Sequence, residues 1–125
     1  MIVVDASACV SYVTGDEDGD WARSRIRSQS LLHAPHLIDF EVVSALRAFQ
    51  DRRRVSAALQ DFAALRLLRY PGAGLLSRIW ELRGHVSAYD ASYVALAEML
   101  GLPLVTTDRR LARAGGHRAS VEAPD

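Results

Sequence analysis

Two apolar runs, Ile2-Val3-Val4 near the start and Leu104-Val105-Thr106-Thr107 near the end, each stop on an aspartate and pass at once into helix-compatible sequence. This juxtaposition constrains the fold more than any other feature of the chain. Parallel strands need a crossover to join them, and the crossover is usually a helix. Asp5 closes the first run before helical Ala6 to Val13, and Asp108 closes the second before Arg109 to Ala114. Both acids then lie at the carboxyl ends of strands, the edge on which open α/β sheets place their sites.

Lengths bring two more acids to that edge. Asp90 opens a helix, Tyr89 to Leu100, that is about twelve residues and roughly 18 Å long. It turns at Gly101-Leu102-Pro103, and the following strand climbs back about 16 Å. Descent and climb nearly cancel, so Asp90 and Asp108 return to the same level. Glu41 stands early in a helix that follows the short run Leu31 to Ala34, which puts it near the same edge.

Each aspartate has a second explanation. Asp is a favoured helix cap, so Asp5 and Asp108 taken singly are as well read as caps. Ser87-Ala88-Tyr89-Asp90 fits a variant capping box. Glu41 resists that reading, because its neighbours three and four positions away are Leu37, Ile38, Ser44 and Ala45. A carboxylate on such a face is costly without a cation or a hydrogen-bonding partner. Four acids gathered at one edge also repel, and a divalent cation relieves both problems. Oxygen ligands without histidine or cysteine favour Mg2+ or Mn2+ over zinc.

Composition removes several other chemistries. Half of the 125 residues are apolar, enough for one compact domain spanning 1–125 with a real core. Fifteen acids balance fifteen bases, so no global field announces a nucleic-acid or membrane partner. Every base is arginine. Without lysine there is no P-loop lysine, no Schiff base and no lysine partner for a phosphorylated aspartate. A lone cysteine, Cys9, sits in the apolar first helix, reads as core, and points to a reducing, cytoplasmic compartment. The opening helix does not read as a signal peptide, and the apolar stretch 86–107 carries Asp90, Glu98 and Pro103, so no membrane span is expected.

The remaining pattern fills in the architecture. Thr14 to Asp20 reads as a solvated acidic turn without the ligand spacing of a calcium loop. Trp21 to Arg27 reads as a short helix, and Leu37 to Arg53 as one long helix with Phe40, Val43, Leu46 and Phe49 inside. Ser56 reads as the N-cap of the next helix, which would fold back as an antiparallel hairpin. Leu67 to Tyr70 is a short strand, Leu75 to Arg83 a helix and Arg118 to Glu122 a last edge strand. Alternation of this kind predicts a three-layer α/β/α domain with a mainly parallel central sheet of about four to five strands. His33, His36, His85 and His117 show no ligand spacing and are expected on the surface or in loops.

The segments IVVDAS, DFEVVSALR, YDASYVALAEMLGLPLVTTD and DRRLAR resemble PIN-domain ribonucleases, with greatest similarity to the VapC toxins of type II toxin–antitoxin modules. The resemblance covers nearly the whole chain, and YDA to TTD is its most specific part. It implies that Asp5, Glu41, Asp90 and Asp108 form the acidic catalytic and metal-holding site. Ser7 and Thr106 match polar positions beside the first and last acids, where local capping explains them equally well. Asp39 is left out of the set, since two residues along a helix turn it to another face. The resemblance further implies endonucleolytic RNA cleavage by metal-activated water, a homodimer, and a VapB-type antitoxin that blocks the site. Trp21, Phe49, Phe62 and Trp80 are candidates for such a contact, with core packing the more ordinary role.

An acidic pocket repels phosphate, so arginines must guide RNA to it. Arg109, Arg110 and Arg113 follow Asp108 directly and are the first candidates, with Arg52, Arg53 and Arg54 the other cluster. Rival folds lack their signatures here. A receiver domain needs a lysine, a haloacid-dehalogenase-type phosphatase needs an acid where Ser7 stands, and DASACV is no GxGxxG. Two alternatives stay open beside the toxin reading: a PIN-like interaction module, and a housekeeping PIN nuclease without an antitoxin.

Overall fold

The computed structural model describes residues 1–125. Its elements run β1 (Ile2–Val4), α1 (Ala6–Thr14), α2 (Gly19–Arg27), β2 (Leu32–Pro35), α3 (Ile38–Leu46) and α4 (Arg52–Ala63). They continue with β3 (Leu67–Tyr70), a 3-10 turn (Gly72–Leu75), α5 (Leu76–Glu81), α6 (Ala88–Leu100), β4 (Leu104–Val105), α7 (Arg109–Arg113) and β5 (Val121–Glu122).

All five strands are parallel, in the order β3-β2-β1-β4-β5. The chain therefore starts in the middle, builds outward to β3, and crosses back to the other side of β1. Right-handed crossovers in opposite directions put their helices on opposite faces, which yields the three layers. α1 packs with α2, α3 and α4, whereas α6 lies against β1, β2, β4 and α5. The reversal point falls between β1 and β4, where doubly wound sheets open a crevice beyond the strand ends.

Burial follows from this placement. Ile2, Val3 and Val4 of the central strand are all buried. The run Ala91–Ala97 of α6 is buried on every side, which explains why that helix is apolar throughout and not one-faced. Gly101, at φ +65°, ends α6 in the left-handed conformation, and Pro103 shortly after prevents its continuation.

Several local expectations are corrected. Leu37 to Arg53 is not one helix. α3 stops at Leu46, the turn tightens into Ala48 N–H to Ala45 and Phe49 N–H to Leu46 bonds, and Asp51 caps a new helix by accepting from the backbone of Arg53 and Arg54. Asp51, not Ser56, is the N-cap, because it stands in extended backbone with its carboxylate over the first turn. The inner face of α3 is Ile38, Val42 and Leu46, while Phe40, Val43 and Phe49 are exposed. α4 packs on α1, and an apolar cleft of about 360 Å³ lined by Val43, Phe49, Val55 and Leu59 separates it from α3. α3 and α4 face one another only loosely across this cleft. His33 is buried in β2, where Nδ1 meets the Tyr70 hydroxyl at 2.7 Å, so it is not a surface residue. Trp80 is exposed on α5 and is not core, whereas Phe62 and Cys9 are buried.

Candidate active site

Asp5 follows the carboxyl end of β1, 5% exposed, and both its oxygens are engaged. Oδ1 accepts from the Ser7 hydroxyl at 2.7 Å and the Ala8 amide at 3.0 Å, and Oδ2 accepts from the Thr106 hydroxyl at 2.6 Å. Asp5 is thus cap and buried anion at once; the two explanations of this residue are compatible. Burial raises its pKa to about 6, against the Thr106, Ala8 and Ser7 hydrogen bonds, with the charge of Asp108 adding to the rise.

Thr106 and Ser7 stitch the two strand ends together. Fully buried Thr106 accepts from the Asp108 amide at 2.9 Å while donating to Asp5. Ser7 accepts from the Thr107 amide at 3.0 Å while donating to Asp5. With both hydroxyl protons directed at Asp5, the 3.1 Å approach of the two side-chain oxygens carries no proton between them.

Glu41 is half-buried beside the inner face of α3. Its Oε1 accepts from the hydroxyl of buried Tyr93, on α6, at 2.6 Å. Burial raises the Glu41 pKa, Asp90 adds to the rise, and the Tyr93 bond opposes it. Tyr93 is the residue that sequence reading missed. It lies three positions after Asp90 and therefore on the same helical face, a signal that was available. Tyr93→Phe should reduce the activity expected of this site about ten-fold or more, as loss of a partner that orients a candidate carboxylate ligand commonly does. A metal titration of activity checks this: the variant should need more cation, and an unchanged titration would mean that the Tyr93 hydroxyl does not orient Glu41.

Asp90 and Asp108 complete the set. Asp108 caps α7, its Oδ1 accepting from Arg110 N at 2.9 Å and Leu111 N at 3.3 Å. Arg110 Nη2 lies 3.6 Å from Asp90 and 3.5 Å from Asp108, spanning the two. Burial and the charge of Asp108 raise the Asp90 pKa, against Arg110 and the Ser87 hydroxyl. The four acids form an electrostatic chain in which Asp5 feels Asp108, Asp108 acts on Asp90, and Asp90 acts on Glu41. No three of them are drawn together as tightly as a metal chelate requires. The donor set is nonetheless all oxygen, three of its members are held at raised pKa, and a hard divalent cation fits both facts.

Other predicted residues take different positions. Asp39 is clasped by Arg69 through two bonds of 2.8 Å, which accounts for it outside the acid set. Arg109 is clasped by Asp18 through two bonds of 3.0 Å, so the acidic turn is structural and the guanidinium already has a partner. Arg113 is exposed without a partner. Arg52, Arg53 and Arg54 sit at the start of α4, and Arg54 donates to the Thr14 carbonyl at the far end of α1. That end is about 13 Å along the helix from Asp5, which sets this cluster apart from the acids.

Comparison with known proteins identifies the family. The PIN domain family profile matches residues 2–117. Ribonuclease VapC9 of Mycobacterium tuberculosis is 49% identical over 92% of this chain and 91% of its own length. Ribonuclease VapC12 of the same organism is 38% identical over 98% of each. Among solved structures, the sarcin-ricin loop cleaving toxin VapC20 of M. tuberculosis superposes with a TM-score of 0.72 at 18% identity, covering 90% of this chain and 93% of that one. VapBC2 from Rickettsia felis, bound to promoter DNA, also gives 0.72, at 16% identity with 100% of both chains covered. Those two likenesses speak for the fold, and the family model and close relatives for descent: the chain belongs to the PIN-domain family, among the VapC ribonucleases.

Proposed function

We propose that this protein is a Mg2+- or Mn2+-dependent endoribonuclease, the toxin of a type II toxin–antitoxin module. The observation that carries the reading is buried Asp5, bracketed by Ser7 and Thr106 and held at a pKa of about 6, with Asp90 and Asp108 bridged by Arg110 and Glu41 held by Tyr93. A carboxylate held in that state gains from a cation, because the cation offsets both its burial and its acidic neighbours. Bound there, a divalent cation supplies water activation and charge neutralisation for phosphodiester hydrolysis.

The chain's own residues do the rest. Ser7 and Thr106 hold the Asp5 carboxylate in one orientation, and Tyr93 does the same for Glu41. Arg110 tempers the repulsion between Asp90 and Asp108 and, from its exposed position, swings toward a phosphate when RNA arrives. RNA as substrate is supported by the ribonuclease names of the relatives. A VapB-type antitoxin is supported by the toxin–antitoxin assembly of the Rickettsia homologue. A homodimer and a cytoplasmic location complete the reading; no helix is long and apolar enough to cross a membrane.

The test is direct. Purified protein freed of any antitoxin should cut RNA internally with Mg2+ or Mn2+, stop on addition of EDTA, and resume when excess cation is restored. Adding the antitoxin should suppress the same cleavage. Cutting that persists in EDTA would rule out the metal-dependent reading.

A further inference from the structure

A second cleft adjoins the acids on the α6 side. Its volume is about 410 Å³, and Arg83, His85, Ser87, Asp90 and Arg110 are among the residues that line it. Its character is opposite to that of the acid cluster, with two guanidiniums and an imidazole against one carboxylate. That carboxylate, Asp90, is offset by Arg110 at 3.6 Å.

Arg83 and His85 are held in place in this cleft. Arg83 lies over the Trp80 ring, its Cζ 4.2 Å from the centroid, and Nη1 donates to the Trp80 carbonyl at 2.9 Å. This explains an exposed tryptophan that contributes nothing to the core. Arg83 makes no ion pair, in contrast to Arg25, Arg69, Arg78 and Arg109, which each hold a carboxylate. Its Nε and Nη2 remain available. His85 rests against the backbone of Gly116, where a Cβ would come within 2.4 Å of the ring and where φ is +83°. That glycine turn is tied in turn by Arg78, which donates to the Gly116 carbonyl at 3.4 Å and grips Glu98. A stacked, unpaired guanidinium and a braced imidazole, both opening on one cleft, make a preorganised anion site.

We infer that Arg83 and His85, with Arg110, form a phosphate subsite that binds the RNA backbone one step from the scissile bond. The inference rests on the ribonuclease reading and adds to it a position for the strand. An RNA phosphate is the occupant because the cleft opens directly beside Asp90, so a strand whose scissile phosphate lies at the acids must place a neighbouring phosphate nearby. The arginines that follow Asp108 cannot all serve this purpose, since Arg109 is committed to Asp18.

Binding of a labelled, mixed-sequence single-stranded oligoribonucleotide to the Asp5→Asn protein supplies the test, with Arg83→Ala added in the same background. Arg83→Ala should weaken binding about ten-fold at moderate salt. It should also flatten the dependence of log affinity on log salt by about 0.7, the loss of one single-strand phosphate contact. Arg83→Lys should recover part of the affinity and the slope. Arg66→Ala removes equal charge from the opposite strand edge, just before β3, and should leave the slope unchanged. In otherwise wild-type protein, Arg83→Ala should raise KM for RNA cleavage. An unaltered salt slope would overturn the subsite, and a change in oligomeric state with RNA binding intact would reassign the cleft to a protein contact. If the Asp5→Asn protein without further change binds no RNA and the wild type cuts none, the ribonuclease reading itself fails, a result distinct from either.

Discussion

Asp5→Asn should abolish RNA cleavage and at the same time stabilise the metal-free protein at neutral pH. The first effect follows from the loss of the most buried negative charge in the acid set. The second follows from linkage. In the unfolded chain this aspartate ionises near 3.8, and in the fold it keeps its proton up to about 6. Between those values the folded state binds more protons than the unfolded state, so stability is greatest below the window and is lost as pH rises through it. By pH 7 ionised Asp5 costs the fold roughly 3 kcal/mol relative to an ordinary aspartate. Asparagine carries no charge to desolvate, so that share of the pH dependence disappears. Urea unfolding in EDTA between pH 4 and pH 7 would show it: a wild-type slope that Asp5→Asn makes shallower. Raised Glu41 and Asp90 act with the same sign and leave a residual slope. A variant that unfolds with the wild-type pH profile would show that Asp5 is not the strained group.

Thr106→Val should be the most damaging substitution that leaves the acids themselves untouched. Valine matches the shape but removes the hydroxyl that donates to Asp5 Oδ2 and accepts from the Asp108 amide. Leaving a buried group without its partner costs about 1–3 kcal/mol, and the Asp108 amide, being part-buried, falls at the low end, so a loss of roughly 2–4 kcal/mol is expected. The Asp5 pKa should rise further, because the strongest hydrogen bond opposing burial is gone. Cleavage at neutral pH should therefore fall, with the pH–rate profile displaced upward. Thr106→Ser, which restores the hydroxyl, should recover most of both properties. If the valine variant unfolds and cuts like wild type, the hydroxyl bridge contributes nothing to either.

What could be read from the chain was what is local or periodic. An apolar run that stops on an acid and becomes helical marks Asp5 and Asp108, and equal lengths of descent and climb bring Asp90 level with them. Glu41 stood out because its helical neighbours are small or apolar and none carries a charge. The spacing of Tyr93 from Asp90 put it on the face of that acid, but its pairing with Glu41, 52 positions away, was not legible in local pattern. Pairings such as Asp18 with Arg109, 91 positions apart, are equally invisible to local pattern, and they decide which arginines are free. The break between α3 and α4 was missed for a different reason. Asp51 sits inside a charged run and reads as one more solvated residue, yet its carboxylate caps the second helix. His33 was misplaced because a histidine among short apolar runs gives no sign of a tyrosine partner 37 positions later.

The hydrogen bond from Thr106 to Asp5 spans 101 positions, so the first acid of the site is synthesised long before its bracket. A growing polypeptide still on the ribosome has its opening strand but neither β4 nor the Thr106 hydroxyl nor Asp108. The acids are therefore brought together only once β4 has docked beside β1. Placing the first strand at the centre of the sheet, beside a strand about a hundred residues later, makes the acid cluster depend on contacts between distant parts of the chain, so partial folding leaves it unassembled.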